Sequence, residues 1–95
     1  MPYISQKDRD SLEHQLMSLS VRLTTMEDGW AGRLNYTISS LINRIIEQKG
    51  MSYSVANEII GVLECAKLEL YRRVVAPYED EKIAENGDVY DQKTA

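Results

Sequence analysis

Apolar residues recur at helical spacing along most of the chain. Between Asp8 and Met26 they fall three or four positions apart, at Leu12, Leu16, Leu19, Leu23 and Met26. This spacing predicts an amphipathic helix, which Ser5 or Asp8 can cap at its start. Met17 and Val21 lie on the opposite side, so we expect this helix to make contacts on two faces.

The segment from Glu27 to Gly32 breaks the pattern, because two glycines within four residues supply turn geometry. A second helix follows and ends at Gly50. Its apolar side carries Leu34, Ile38, Leu41, Ile42, Ile45 and Ile46. Asn35 is either its N-cap or, if the helix begins earlier, a residue of its apolar face, and Tyr36 lies on its polar side. Trp30 is interpreted as a cover over the core or as a contact anchor.

The third helix is predicted to start at Ser52 or Ser54 and to reach about Val75, because Pro77 disfavours helical geometry in the residue before it. Its apolar residues surround it almost completely, with Val55, Ile59, Leu63, Ala66 and Leu70 on one face and Gly61, Cys65, Leu68 and Val75 on the other. Such a helix is normally buried, and three short helices cannot cover it on every side. We therefore expect the chain to form a homodimer or a higher even oligomer.

A short fourth helix is expected next, with Pro77 in its first turn and Asn86-Gly87 at its end. Val89 and Tyr90 are expected to fold back as a clasp. The predicted fold is all-α, with three main helices and a short C-terminal helical clasp, completed by homo-oligomerisation. We expect residues 1–90 to form one domain and residues 91–95 to form a flexible end.

Composition and charge limit the classes of function. The 95 residues include 43% apolar side chains and carry a net charge of −4, which argues against a nucleic-acid partner. Cys65 is the only cysteine, so neither a disulfide framework nor a CxxC zinc site exists within one chain. With neither a signal-peptide pattern nor an apolar run of membrane-spanning length, we expect a cytoplasmic protein without a membrane partner.

Helix three carries the first set of candidate functional residues. Glu69 stands three and four positions before Arg72 and Arg73, the favourable order for helical ion pairs. The set forms either surface ion pairs or an anion site, in which two arginines line an intersubunit groove and bind a phosphate or a carboxylate. The phosphate-binding glycine motifs are absent, and His14, the only histidine, has no metal-ligand partner and is expected to face solvent.

The acidic tail is the second candidate. Six carboxylates lie between Glu79 and Asp91, and Tyr78 and Tyr90 flank five of them. They form either a solvated helix end or a lid or docking peptide. If the tail folds back, Glu64 with Glu79 or Asp80 could hold Mg²⁺. The paired ExxE motifs of all-helical nucleotide pyrophosphohydrolases are absent, so we predict no metal and no cofactor.

Three strings resemble a known family: NYTIS at 35–39, GVLECAKLELYRR at 61–73 and PYEDEKIAENGDVY at 77–90. The chain is similar, over residues 1–90, to short uncharacterised proteins of tailed bacteriophages, prophages and bacteria. The resemblance implies origin in a phage or a mobile element rather than a particular activity. The segment GWAGRL, which precedes Asn35, is longer than the corresponding link in that family, so Trp30 belongs to this protein's own surface.

These observations favour a non-enzymatic binding protein of phage or mobile-element type. We expect it to act on a host or defence protein, or to sequester a small anionic ligand such as a signalling nucleotide, in the host cytoplasm. The alternatives are a Mg²⁺-dependent nucleotide hydrolase and a structural oligomer or assembly accessory. The candidate binding residues are Asn35, Tyr36, Glu64, Glu69, Arg72, Arg73, Tyr78, Glu79, Asp80, Asn86, Asp88 and Tyr90.

Overall fold

The described part of the chain consists of helices joined by short turns. The computed structural model describes residues 3–90, so the predicted flexible end at 91–95 lies outside the described residues. Its elements are α1 (Gln6–Thr24), α2 (Trp30–Lys49), α3 (Tyr53–Leu70), a π-helical turn (Tyr71–Val75) and α4 (Ala76–Asn86). No strand occurs in this part, which confirms the all-α class. None of these helices is long and apolar enough to cross a membrane.

The predicted helix caps form at three ends. Ser5 Oγ accepts a hydrogen bond from the Asp8 amide at 3.1 Å, and Ser52 Oγ accepts one from the Val55 amide at 3.1 Å. Each bond satisfies one of the amides that a helix start leaves without an intrahelical partner. Gly50 ends α2 at a φ of 80°, with its amide bonded to the Ile46 carbonyl. Of the alternatives at each start, Ser5 and Ser52 are therefore the caps.

Helix α2 begins earlier than it would if Asn35 were its N-cap. Its N-cap is Gly29, at a φ of 86°, and Trp30 is already its first residue. Asn35 therefore lies inside the helix, and the prediction that it caps α2 is wrong. Asn35 is instead a residue of the apolar face, which was the alternative interpretation. It falls three and seven positions before Ile38 and Ile42, on the same face of α2.

Pro77 does not end the third helix, contrary to prediction. The backbone stays helical through Val75 and Ala76, and α4 continues directly. Proline lacks an amide hydrogen and its ring clashes with the carbonyl four residues earlier, here that of Arg73. The chain accommodates it by widening one turn, in which the Ala76 amide bonds to the Tyr71 carbonyl five residues before it. Residues 53–86 thus form one long helical rod with a π turn.

Arg33 fixes the turn between α1 and α2. Its guanidinium donates from Nε to the Leu23 carbonyl at 2.9 Å, from Nη1 to the Asp28 carbonyl at 3.0 Å and from Nη2 to the Met26 carbonyl at 3.3 Å. These carbonyls belong to the end of α1 and to the turn itself. A side chain from the first part of α2 therefore satisfies acceptors that the end of α1 leaves open.

The three long helices enclose an open frame. Tyr3, just before α1, reaches Glu69 near the end of α3, while α2 joins the other end of α1 to the start of α3. The radius of gyration is 18.0 Å, whereas a compact domain of this length has one of about 12 Å. The helices therefore lie apart over much of their length.

No side chain among residues 3–90 is fully buried. Leu16, Leu41 and Leu70 are 56%, 52% and 55% exposed, although all three belong to apolar stripes. The apolar faces that predicted a packed core are present, but one copy of the chain covers them only in part.

Replacement of Pro77 by Ala should convert the π turn to ordinary α-helix. The variant regains the amide hydrogen and loses the ring, so the Ala76 amide should bond to the Arg72 carbonyl instead of that of Tyr71. Removal of this local distortion should raise the free energy of unfolding by about 1–3 kcal/mol. NMR of the backbone hydrogen bonds across residues 71–77 measures the change. A π turn that persists in the variant would show that Pro77 is not its cause.

Replacement of Arg33 by Ala should destabilise the protein. The charged group donates to three carbonyls, and its loss should lower the free energy of unfolding by about 1.5–3 kcal/mol. Urea denaturation followed by circular dichroism gives this value. Arg44→Ala is the matched control, because Arg44 is an exposed arginine of the same helix and should change stability by less than about 0.5 kcal/mol. Equal effects of the two changes would contradict the role given to Arg33.

Candidate functional site

Three of the predicted site residues meet at the junction of α3 and the π turn. Arg72 Nη2 donates to Glu69 Oε2 at 2.9 Å, and Arg73 Nη1 lies 3.9 Å from Glu69 Oε1. The hydroxyl of Tyr3 donates to Glu69 Oε1 at 3.1 Å and accepts from Arg73 Nη1 at 2.7 Å. We call Tyr3, Glu69, Arg72 and Arg73 the arginine cluster. It joins two segments of the chain that are separated by more than 60 residues.

Two guanidinium groups share one carboxylate in the arginine cluster, so its net charge is positive. The hydrogen bond from Arg72 holds the pKa of Glu69 below its ordinary value of 4.5, and the bond from Tyr3 acts in the same direction. The same ion pair raises the pKa of Arg72. The side chains of Arg72 and Arg73 are 69% and 58% exposed. Each arginine therefore keeps donors that point to solvent and are available to an anion.

The π turn also determines which side chains meet on the helical rod. In an uninterrupted α-helix, residues eight apart lie about 80° apart around the axis. The wider turn brings Tyr71 and Glu79 onto one face, where the Tyr71 hydroxyl donates to Glu79 Oε1 at 2.6 Å. This bond to a carboxylate raises the pKa of Tyr71 above 10.0. Glu79, one of the carboxylates of the predicted tail, is therefore hydrogen-bonded to Tyr71 of the π turn.

The tail residues form a shallow groove beside α4. The groove, of about 540 Å³, is lined among others by Asp80, Asn86, Asp88 and Tyr90. Helix α4 ends at Asn86, as predicted, with the Gly87 amide bonded to the Ile83 carbonyl. Beyond it, Val89 and Tyr90 are 90% and 76% exposed, so one copy of the chain does not show the expected clasp.

The remaining predicted residues lie apart from the arginine cluster. Glu64 forms an ion pair with Lys67 at 3.1 Å, and the ring of Tyr78 lies 5.4 Å from the ammonium of Lys82. Tyr36 projects from α2 and is 75% exposed. Asn35 lies on the same helix. The structure thus divides the candidate residues into the arginine cluster, the tail groove and isolated positions.

The carboxylates proposed for Mg²⁺ lie far apart. Glu64 and Glu79 are separated by fifteen residues of the same helical rod, a distance of about 22 Å along its axis. Within residues 3–90, no three His, Cys, Asp or Glu side chains lie close enough together to hold a metal ion. As far as residue 90, the tail does not fold back onto Glu64 as that hypothesis required.

A second concave feature is the apolar cleft between α2 and α3, which we call the α2–α3 cleft. It has a volume of about 420 Å³ and opens to solvent. Leu41, Ile42 and Ile45 of α2 face Ile59, Val62 and Leu63 of α3 across it. Apolar patches of this kind on a protein surface mark contact sites for other molecules.

Two residues that organise the structure were not predicted from the sequence. Tyr3 precedes the first helix, outside any periodic pattern, so no spacing signal connects it with Glu69. Arg33 lies in a segment interpreted as the edge of a loop. Its position four residues after Gly29 indicates a helix start only once Gly29 is identified as the N-cap.

Replacement of Glu69 by Gln should make the stability of the protein less dependent on pH. The pKa of Glu69 is lower in the folded state than its ordinary value of 4.5. The contribution of Glu69 to stability is therefore present above about pH 4.5 and disappears as the pH falls through the lower, folded-state pKa. Wild type should be the more stable protein at pH 7, and the difference should shrink below about pH 4.

Thermal denaturation of the two proteins between pH 2.5 and pH 7 measures this difference. Glu47→Gln is a matched control, because Glu47 is an exposed residue of α2. A difference between wild type and Glu69→Gln that stays constant across this range would contradict the ion pairing of Glu69.

Comparison with known proteins places the chain in a family. Residues 1–89 match the family described as Domain of unknown function (DUF6899). No curated protein and no solved structure matches the chain. The match covers all four helices and the arginine cluster, and the protein belongs to the DUF6899 family.

Proposed function

We propose that this protein is a non-enzymatic binding protein of phage or mobile-element type, which acts on a host or defence protein. The observation that carries the proposal is the exposure of its apolar faces. One chain of 10.9 kDa exposes 8820 Å² of surface, whereas a compact folded monomer of this mass exposes about 5,600 Å². Surface of this extent and composition suits contacts with other protein chains.

The arginine cluster is the proposed recognition point for the host partner. Arginine, tyrosine and tryptophan dominate the binding energy of protein interfaces, and arginine suits a carboxylate because its guanidinium binds it with two parallel bonds. Glu69 and Tyr3 hold the two arginines in position. Guanidinium groups that are already ordered lose less side-chain entropy when a partner binds. An acidic surface on the host protein is the expected counterpart.

Sequestration of a small anionic ligand is the weaker form of the same proposal. A small ligand needs a concave site that covers most of its surface. The α2–α3 cleft has the required volume, but its walls are aliphatic. The arginines lie on the exposed outside of the rod. This separation of positive charge from concave surface favours a protein partner over a nucleotide.

Removal of both arginines should abolish partner capture. Affinity purification from host cells, with quantitative mass spectrometry, compares wild type with the Arg72→Ala/Arg73→Ala variant. We expect any host protein that wild type enriches to fall by at least about tenfold, which corresponds to the loss of one interface hot spot. The Arg9→Ala/Arg44→Ala double variant is the control, since it removes the same charge from exposed positions elsewhere.

Two outcomes would overturn the proposal. Equal losses in the two double variants would show that total charge, not the arginine cluster, determines capture. Turnover of nucleoside triphosphates with Mg²⁺ by the purified protein would identify an enzyme, and loss of that turnover in Glu64→Gln would assign it to the carboxylates of helix three.

A further inference from the structure

We propose that the α2–α3 cleft is closed by the same cleft of a second copy of the chain. The two pairs of helices would then form a four-helix bundle about a two-fold axis. This inference does not rest on the host partner proposed above. It follows from the shape, the area and the charge of the cleft itself.

The shape of the cleft matches half of a helical bundle. Helices α2 and α3 follow each other through a short turn at 50–52, with aliphatic side chains on their facing sides. In a four-helix bundle, such facing side chains form a continuous core between two helical pairs. Here Ile45 and Leu63 remain 43% and 42% exposed, as expected for a half-built core.

The exposed area is large enough to supply the interface of an obligate dimer. The chain exposes 8820 Å², roughly 3,200 Å² more than a compact monomer of its mass would expose. Obligate dimers bury about 2,000–5,000 Å² in total, or about 1,000–2,500 Å² on each chain. A second copy can therefore cover much of this excess.

The charges at the rim of the cleft are self-complementary. Lys49 and Glu58 are the two charged residues among those that line it. Neither forms an ion pair with another residue in the range 3–90. In a two-fold interface, the same patch meets itself, so that Lys49 of one copy faces Glu58 of the other and the pair occurs twice. A cleft with one cation and one anion suits its own copy better than a strongly charged partner.

The first test compares two neighbouring isoleucines of α3 by analytical ultracentrifugation. Ile59 lines the cleft, whereas Ile60 points about 100° away and is 64% exposed. Ile59→Glu places a charge in the interface twice and should raise the dimer dissociation constant at least about 100-fold. Ile60→Glu should change it less than about threefold. A monomeric wild type at micromolar concentration, or a larger effect of Ile60→Glu, would overturn the proposal.

The second test does not depend on changes to the apolar core. Lys49→Glu and Glu58→Lys each place like charges opposite each other in a dimer and should weaken self-association about tenfold. A mixture of the two variants restores both pairs, so native mass spectrometry should show a heterodimer in excess of either homodimer. A statistical mixture of species would contradict the proposed pairing of Lys49 with Glu58. A monomer that still captured a host protein would refute this inference alone.

Discussion

An amphipathic helix is stable in water only when its apolar side is covered, and this constraint governs the structure. Each of the three long helices carries an aliphatic face, yet no side chain among residues 3–90 is fully buried. The turns and caps of the chain are nonetheless well defined. Ser5 and Ser52 cap two helix starts, and Arg33 binds the end of α1. Local interactions thus fix the course of the chain, while the apolar contacts between its helices are incomplete.

The contacts that close the frame of helices are polar, not apolar. Within the arginine cluster, Tyr3 links the start of α1 to the long rod through hydrogen bonds between exposed groups. Exposed ion pairs contribute little to stability, typically less than about 1 kcal/mol each. They can position the helices but cannot replace a core. The stability of this fold must therefore come from the apolar surface that a second chain, in our proposal, covers.

Much of the fold follows from the sequence, and the parts that do not follow have identifiable causes. The periodic placement of leucine and isoleucine predicted the three long helices. Gly50 and Asn86-Gly87 predicted the ends of α2 and α4. The continuation through Pro77 was not predicted, because a proline signals a break while the π turn that absorbs it has no sequence signature. The link from Tyr3 to Glu69 was missed for a different reason. It depends on the tertiary arrangement of α1 and α3, which periodicity does not report.

The π turn determines how several residues of the candidate site are arranged. It contains Arg72 and Arg73, and it rotates Glu79 onto the face of Tyr71. Local widening of a helix is common where function needs an unusual arrangement of side chains. In this chain a single proline, four residues after Arg73, provides a physical reason for it. The arginine cluster, which is the recognition point in our proposal, therefore lies at a backbone irregularity.

Native mass spectrometry of the purified protein at low micromolar concentration tests the central claim most directly. The account predicts an even multiple of the 10.9 kDa chain, because apolar faces left open in one copy are closed by another. A species of 10.9 kDa that unfolds cooperatively in urea would contradict it, since such a monomer would be stable without the cover that the helices require.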